Sequence, residues 1–116
     1  MASKKFYLCT AIAYVNGAPH LGHAMEFCES DAIARYKRLM GFDVRLSMGT
    51  DEYGVKLFNT AREKGVEPQA LADENSAIFR SLKEILSLSF DDFIRTTDRQ
   101  RHWPACQKIW RKLRDA

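Results

Sequence analysis

Apolar positions run along this chain in two rhythms. Phe6 to Tyr14 is apolar and aromatic almost without interruption, the pattern of a buried parallel strand. Asn16-Gly17-Ala18-Pro19 breaks the run. From Leu21 the spacing changes. Leu21, Met25, Cys28, Ala32, Tyr36 and Leu39 draw one stripe down a helix. Gly41, after Met40, reads as its stop. Phe42 to Met48 predicts a second strand, ending at Gly49-Thr50-Asp51. Val55 to Lys64 predicts a helix closed by Gly65. Another helix starts near Pro68, a residue suited to a first turn, with Leu71, Ile78, Leu82 and Ile85 as its apolar face. Phe90 to Thr96 predicts a short third strand. Arg99 to Arg114 predicts a basic amphipathic helix with Trp103, Cys106, Trp110 and Leu113 on one side. Strands followed by helices in this order predict an α/β fold, a parallel sheet with flanking helices and right-handed crossovers. So small a sheet reads as half of a larger fold, an intact small domain being the alternative.

Composition adds little to that picture. With 116 residues, 46% of them hydrophobic and 28% charged, the chain has the make-up of one globular domain. The net charge is +3, but its placement is uneven. Arg99, Arg101, Lys108, Arg111, Lys112 and Arg114 face a single acid, Asp115, at the end of the chain. A basic end can meet a polyanion, but a solvated helix face is the simpler reading and the one adopted. Cys9, Cys28 and Cys106 are widely spaced and form no C-x-x-C pair, so no zinc knuckle or redox motif is expected. Free, mostly buried thiols in a reducing compartment are expected instead. The basic start, Met1 to Lys5, precedes an apolar run too short to span a bilayer, so a cytoplasmic protein with no membrane partner is expected.

The segment Tyr14-Val15-Asn16-Gly17-Ala18-Pro19-His20-Leu21-Gly22-His23 changes the picture most. It lies where the first strand ends and the first helix begins. In open parallel sheets ligands bind beyond the carboxyl ends of the strands. A helix N-terminus there offers unpaired N–H groups and positive partial charge, which suit a phosphate. His20 and His23, three residues apart, can project from one side of the first turn. Gly22 has no side chain to keep a base or ribose off the backbone. Two imidazoles can donate to phosphate oxygens as charge migrates during a displacement. Metal binding by the pair is disfavoured, since no third ligand stands at a convincing spacing. Ile12 and Tyr14 can also be plain strand core, and Asp51 a turn or cap residue. A magnesium pair made of Asp51 and Glu52 is disfavoured, because neighbours on a strand face opposite sides.

Pro19-His20-Leu21-Gly22-His23 resembles the "HIGH" signature of class I aminoacyl-tRNA synthetases. Ala11 to Gly17 resembles the stretch that introduces the signature in the methionyl-tRNA synthetases of that class. Further matches follow in the same order: Ala34 to Gly41, then Gly49-Thr50-Asp51-Glu52-Tyr53-Gly54, then Phe90 to Thr97. Ala11, Ala13 and Tyr53 depart from residues frequent in the family. The resemblance implies a Rossmann-like (HUP-type) fold. Residues 1–116 would be the N-terminal half of the catalytic domain, with the insertion, the second half and the anticodon-binding domain outside the chain. It implies that His20 and His23 are catalytic, and that Tyr14, His20, Gly22 and His23 contact ATP. It implies that Ile12, Tyr14 and Asp51 hold methionine, Asp51 through the ammonium group. ATP with Mg2+, and tRNA(Met) for the complete enzyme, are the implied ligands, with no zinc site in this chain. The face of Trp103 and Trp110 is expected to pack on the remainder of such an enzyme. Two other readings stay open: a nucleotidyltransferase with a His-x-Gly-His element, and a non-catalytic nucleotide-binding module.

Overall fold

The computed structural model describes residues 4–116. Met1 to Ser3, part of the basic start, lie outside the described residues. The first apolar run is split into β1 (Lys5–Cys9) and β2 (Ala13–Tyr14). Both pair in parallel with β3 (Asp43–Asp51), with Cys9 opposite Ser47 and Ala13 opposite Thr50. Thr10, Ala11 and Ile12 therefore stand against only Met48 and Gly49, which makes a bulge. The Ala11 N–H, turned out of the ladder, donates to Glu26 Oε1 at 2.9 Å. The expectation of one unbroken strand is corrected by this bulge, which hydropathy alone does not mark.

The expected third strand is present as β4 (Asp92–Arg95), parallel to the other side of β3. Gly49 decides how closely it approaches. A Cβ on Gly49 would fall 2.1 Å from the backbone oxygen of Ile94, so no other residue fits without moving β4.

Four helices follow the predicted order: α1 (Leu21–Leu39), α2 (Val55–Lys64), α3 (Pro68–Ile85) and α4 (His102–Arg114). α2 closes on Gly65 in the left-handed conformation, and α3 opens on Pro68, both as expected. Phe27 of α1 meets Phe79 of α3 edge-on, with centroids 6.5 Å apart, so these helices share one face of the sheet. Two right-handed crossovers running in the same direction require that. Leu46, Met48 and Thr50 of β3 are fully buried beneath them, together with Val15 and Leu71. Each of the apolar side chains among them, Leu46, Met48, Val15 and Leu71, contributes about 1.5–3 kcal/mol by leaving water. Alternate residues of the strands, Tyr7, Cys9 and Arg45, are exposed on the other face. A parallel strand covered on both faces was expected, but the described residues cover one.

The helix faces are also corrected. The stripe assigned to α1 points outward, with Leu21 at 85% exposure and Met25, Tyr36 and Leu39 exposed as well. The buried line is Phe27, Asp31 and Ala34. Asp31 hid that line from hydropathy. Its carboxylate is buried because it accepts from Ser89 N–H at 2.6 Å and Ser89 Oγ at 2.7 Å, and pairs with Arg35. On α3, Ile78 and Ile85 are exposed, and the core side is Leu71, Ala72, Asn75, Ser76 and Phe79. All three cysteines are exposed, against the expectation of buried thiols. α4 presents its predicted apolar side, but only Trp103 packs, while Ile109, Trp110 and Leu113 are exposed. No described helix is long and apolar enough to cross a membrane.

Candidate active site

Residues that close β2 and open α1 define the site. Val15 N–H donates to Asp51 O at 3.3 Å, so the parallel ladder persists to the end of the first strand. Asn75 Nδ2 of α3 donates to Val15 O at 2.7 Å in a buried contact. The chain then turns through Asn16 to Pro19 and enters α1 at His20, its N-cap.

The cap is made by the two histidines themselves. His20 Nδ1 accepts from Gly22 N–H at 3.1 Å, and His23 Nδ1 accepts from His20 N–H at 3.2 Å. Side chain and backbone are thus satisfied reciprocally, as in a Ser/Glu capping box. The rings stack, with centroids 3.9 Å apart and planes 29° apart. Phe79 stands edge-on to His23 at 5.0 Å. Burial, and after it the nearby His20 ring, hold the His23 imidazole below its ordinary pKa, against an upward pull from Glu26. The space beside Gly22 that the sequence reading left to a nucleotide is occupied by the His20 ring. A Cβ there would lie 3.0 Å from His20 Cε1 and 3.1 Å from Nδ1.

A second cluster forms where β2 and β3 end side by side. Tyr14 is the register partner of Asp51. Both line a cleft of about 230 Å³ together with Asn16, Tyr53 and Gly54. Tyr14 is 64% exposed, so it is no core residue. Ile12 is also exposed, but it sits in the bulge and does not line this cleft. Asp51 and Glu52 do face different surroundings. Asp51 Oδ1 accepts from Tyr53 N–H at 3.2 Å. The Glu52 side chain is fully buried and held by Arg95 at 2.6 and 3.0 Å, by Thr50 Oγ1 at 2.9 Å and by Thr97. Arg95 also reaches Asp73 of α3. Thr96 Oγ1 accepts from Glu52 N–H at 2.8 Å and stands 3.5 Å from Asp51 Oδ1.

Sequence reasoning missed Glu26, Asn75, Thr96 and the Glu52–Arg95 pair. Asn75 had a readable signal, a polar residue midway between Leu71 and Phe79 on one helix face. Glu52 and Arg95 are 43 residues apart, and nothing local links them. Trp103 Nε1 closes the rim, donating to Thr96 O at 3.1 Å and Tyr53 OH at 3.2 Å. Among the described residues no three His, Cys, Asp or Glu side chains gather to hold a metal ion.

Known proteins are similar to this chain in sequence and fold. The methionine–tRNA ligase of Brucella suis biovar 1 is 49% identical over 113 residues, which is 97% of this chain and 22% of that protein. A solved methionyl-tRNA synthetase of Mycobacterium tuberculosis, in complex with methionyl-adenylate, superposes with a TM-score of 0.91 at 50% identity. It matches 97% of this chain and 22% of its own. The LeuRS of Agrobacterium radiobacter K84, in a ternary complex with tRNA and LeuAMS, gives a TM-score of 0.86 at 25% identity, over 99% of this chain and 15% of its own. The chain thus spans about a fifth of the length of the methionine-type relatives it matches. A family model described as tRNA synthetases class I (M) matches residues 6–116. With its fold and nearly all of its length matched, the chain belongs to the class I tRNA synthetases of the methionine type.

Proposed function

We propose that this chain is the N-terminal half of a class I catalytic domain and carries part of the active site of a methionine–tRNA ligase. The observation that carries this reading is the histidine pair that caps α1, on the turn that follows directly from Tyr14, Val15 and Asn16 of the Tyr14–Asp51 cleft. The complex of the M. tuberculosis relative with methionyl-adenylate supports it. The methionine carboxylate attacks the α-phosphorus of ATP. The bond to the β-phosphate oxygen breaks, pyrophosphate leaves, and methionyl-adenylate forms for transfer to tRNA(Met) by the complete enzyme.

His20 and His23 meet the phosphates as hydrogen-bond donors where charge develops, with the positive end of α1 behind them. Tyr14 and Gly22 complete the ATP contact. Asp51 takes the methionine ammonium as a charge-assisted partner, and Tyr14 and Ile12 take the thioether side chain. Magnesium would accompany ATP as part of the substrate and offset phosphate charge, and no zinc is assigned to this chain. The apolar side of α4 around Trp103 and Trp110 packs on the rest of the enzyme, and the enzyme works in the cytoplasm.

Methionine-dependent exchange of pyrophosphate into ATP tests the reading. It is measured in the chain or, where the chain alone is silent, in a complete ligase carrying it. His20→Asn and His23→Asn are expected to cut exchange by about a hundred- to a thousandfold, the cost of one transition-state donor, with little change in ATP affinity. Near-normal exchange in both variants sinks the site. Exchange driven by a phosphorylated small molecule instead of methionine points to a nucleotidyltransferase.

A further inference from the structure

The geometry points to His20 and His23 serving as a tautomer-locked pair of Nε2–H donors, with Gly22 the positioning residue that makes the lock possible. This rests on the proposed adenylation site and specifies how that site is held. The backbone sets the lock. His20 Nδ1 receives the Gly22 N–H and His23 Nδ1 receives the His20 N–H, so neither Nδ1 can carry a proton while the cap is intact. The proton of each neutral ring therefore sits on Nε2, the nitrogen left free for a ligand. Three features disfavour adding a second proton to the His23 ring. The capping bonds would be lost. The rings are 3.9 Å apart, so two imidazolium charges would repel. Both rings stand at the positive end of α1.

Of the groups around the pair, Phe79 agrees with this state, whereas the Glu26 charge opposes it and is outweighed at His23 by burial. From α3 the neighbour is the uncharged edge of Phe79. From α1 it is Glu26, whose Oε1 is engaged by the Ala11 N–H of the bulge. Gly22 is the spatial requirement. A Cβ there would lie 3.0–3.1 Å from the His20 ring, so the ring must give by a few tenths of an ångström, which strains its capping bond and the stack. The glycine between the histidines thus serves the first histidine, whatever the nucleotide then does with the space outside.

The test reads the rings and the reaction separately. Long-range imidazole proton–nitrogen correlation spectra of the nitrogen-15 labelled chain at neutral pH report which nitrogen carries the proton. His20 and His23 are assigned by substitution. Both are expected in the Nε2–H form without any substrate. A dominant Nδ1–H form at either residue, or an imidazolium at His23, overturns the lock, whatever the exchange activity. Gly22→Ala is expected to return His20 to the mixed tautomers of free histidine. It should also lower the turnover of methionine-dependent exchange by about a hundredfold, as misplacement of a reacting group does, more than it raises KM for ATP. An unchanged His20 spectrum in that variant overturns the role of Gly22. If Gly22→Ala does not fold, His23→Asn gives the second reading. The Asn Oδ1 takes the place of Nδ1 as acceptor for His20 N–H, so the His20 tautomer should persist, and its loss overturns the paired lock. Spectra as expected with exchange indifferent to both histidines would instead refute the adenylation site and leave the lock standing.

Discussion

At His20 and His23 one ring does two jobs, and substitutions can separate them. An Asn at position 20 keeps an acceptor for the Gly22 N–H, and Asn is among the best N-caps. An Ala keeps none. His20→Ala should therefore cost about 1 kcal/mol more stability than His20→Asn, while both lose the outward N–H. Urea midpoints of the two variants check this, and equal midpoints would remove the cap from the account. His23 adds a pH dependence. Its pKa lies below the ordinary 6.5 because of burial first and the His20 ring second. Below pH 6.5 the unfolded chain therefore takes up the proton before the folded chain does. The His23 contribution to stability is complete above pH 6.5 and is lost as pH falls through its lower folded value. An NMR titration should place His23 below 6.5, and a midpoint above that value contradicts the burial argument. Ile12 bears on substrate. Ile12→Ala should weaken methionine binding by about 1–3 kcal/mol if its exposed side chain closes on the thioether. Unchanged affinity in a folded variant takes Ile12 out of the pocket.

Among the elements, β3 is the one on which the others depend. It pairs with β1, β2 and β4, and its end supplies Asp51 and leads into Glu52. Gly49 lets β4 close on it, and the Glu52–Arg95 pair fastens the two strands where they finish. Removing one partner of a buried pair leaves the other charged and dry. Arg95→Met should destabilise the chain by about 3–5 kcal/mol, because the fully buried Glu52 carboxylate loses its cation. Glu52→Gln should cost less, because Arg95 keeps part of its exposure and its contact with Asp73. Urea unfolding of both variants ranks them, and the reverse order refutes the argument. The bulge is the element-level device that re-aims the first strand. By turning Ala11 N–H toward Glu26, it lets the strand rejoin β3 one register later and delivers Tyr14 opposite Asp51. Nothing in the apolar run from Phe6 to Tyr14 announces this, because every residue there suits a strand equally well.

On the scale of the whole molecule, three helices' worth of apolar surface is shared unevenly. α1 and α3 cover one face of the sheet, while the other sides of α1 and α4 keep Leu21, Met25, Trp110 and Leu113 exposed. Trp110→Ser should therefore leave the stability of this chain within about 0.5 kcal/mol, as an exposed position does, and a larger loss would mean that α4 packs through Trp110. Three of the six basic residues from Arg99 to Arg114 are engaged inside the chain. Arg101 pairs with Asp92, Arg114 with Asp115, and Arg99 lies over the Trp103 ring. Binding of tRNA to this segment alone should thus be absent or nearly flat with salt, since few phosphate contacts remain to release counterions. A steep salt dependence would assign the helix to nucleic acid. Local chemistry determined much of this from the sequence. Gly41, Gly65 and Pro68 ended and began helices where their backbone preferences required. The histidine turn was legible because capping and spacing act within four residues. Which side of each helix is buried was not legible, because α1 is apolar on two sides and the sheet selects one. Asp31, Asn75 and Glu52 became buried residues only when partners distant in sequence, Arg95 among them, satisfied them. A buried polar group is stable only with its hydrogen bonds made, and those bonds exist only after the chain has folded.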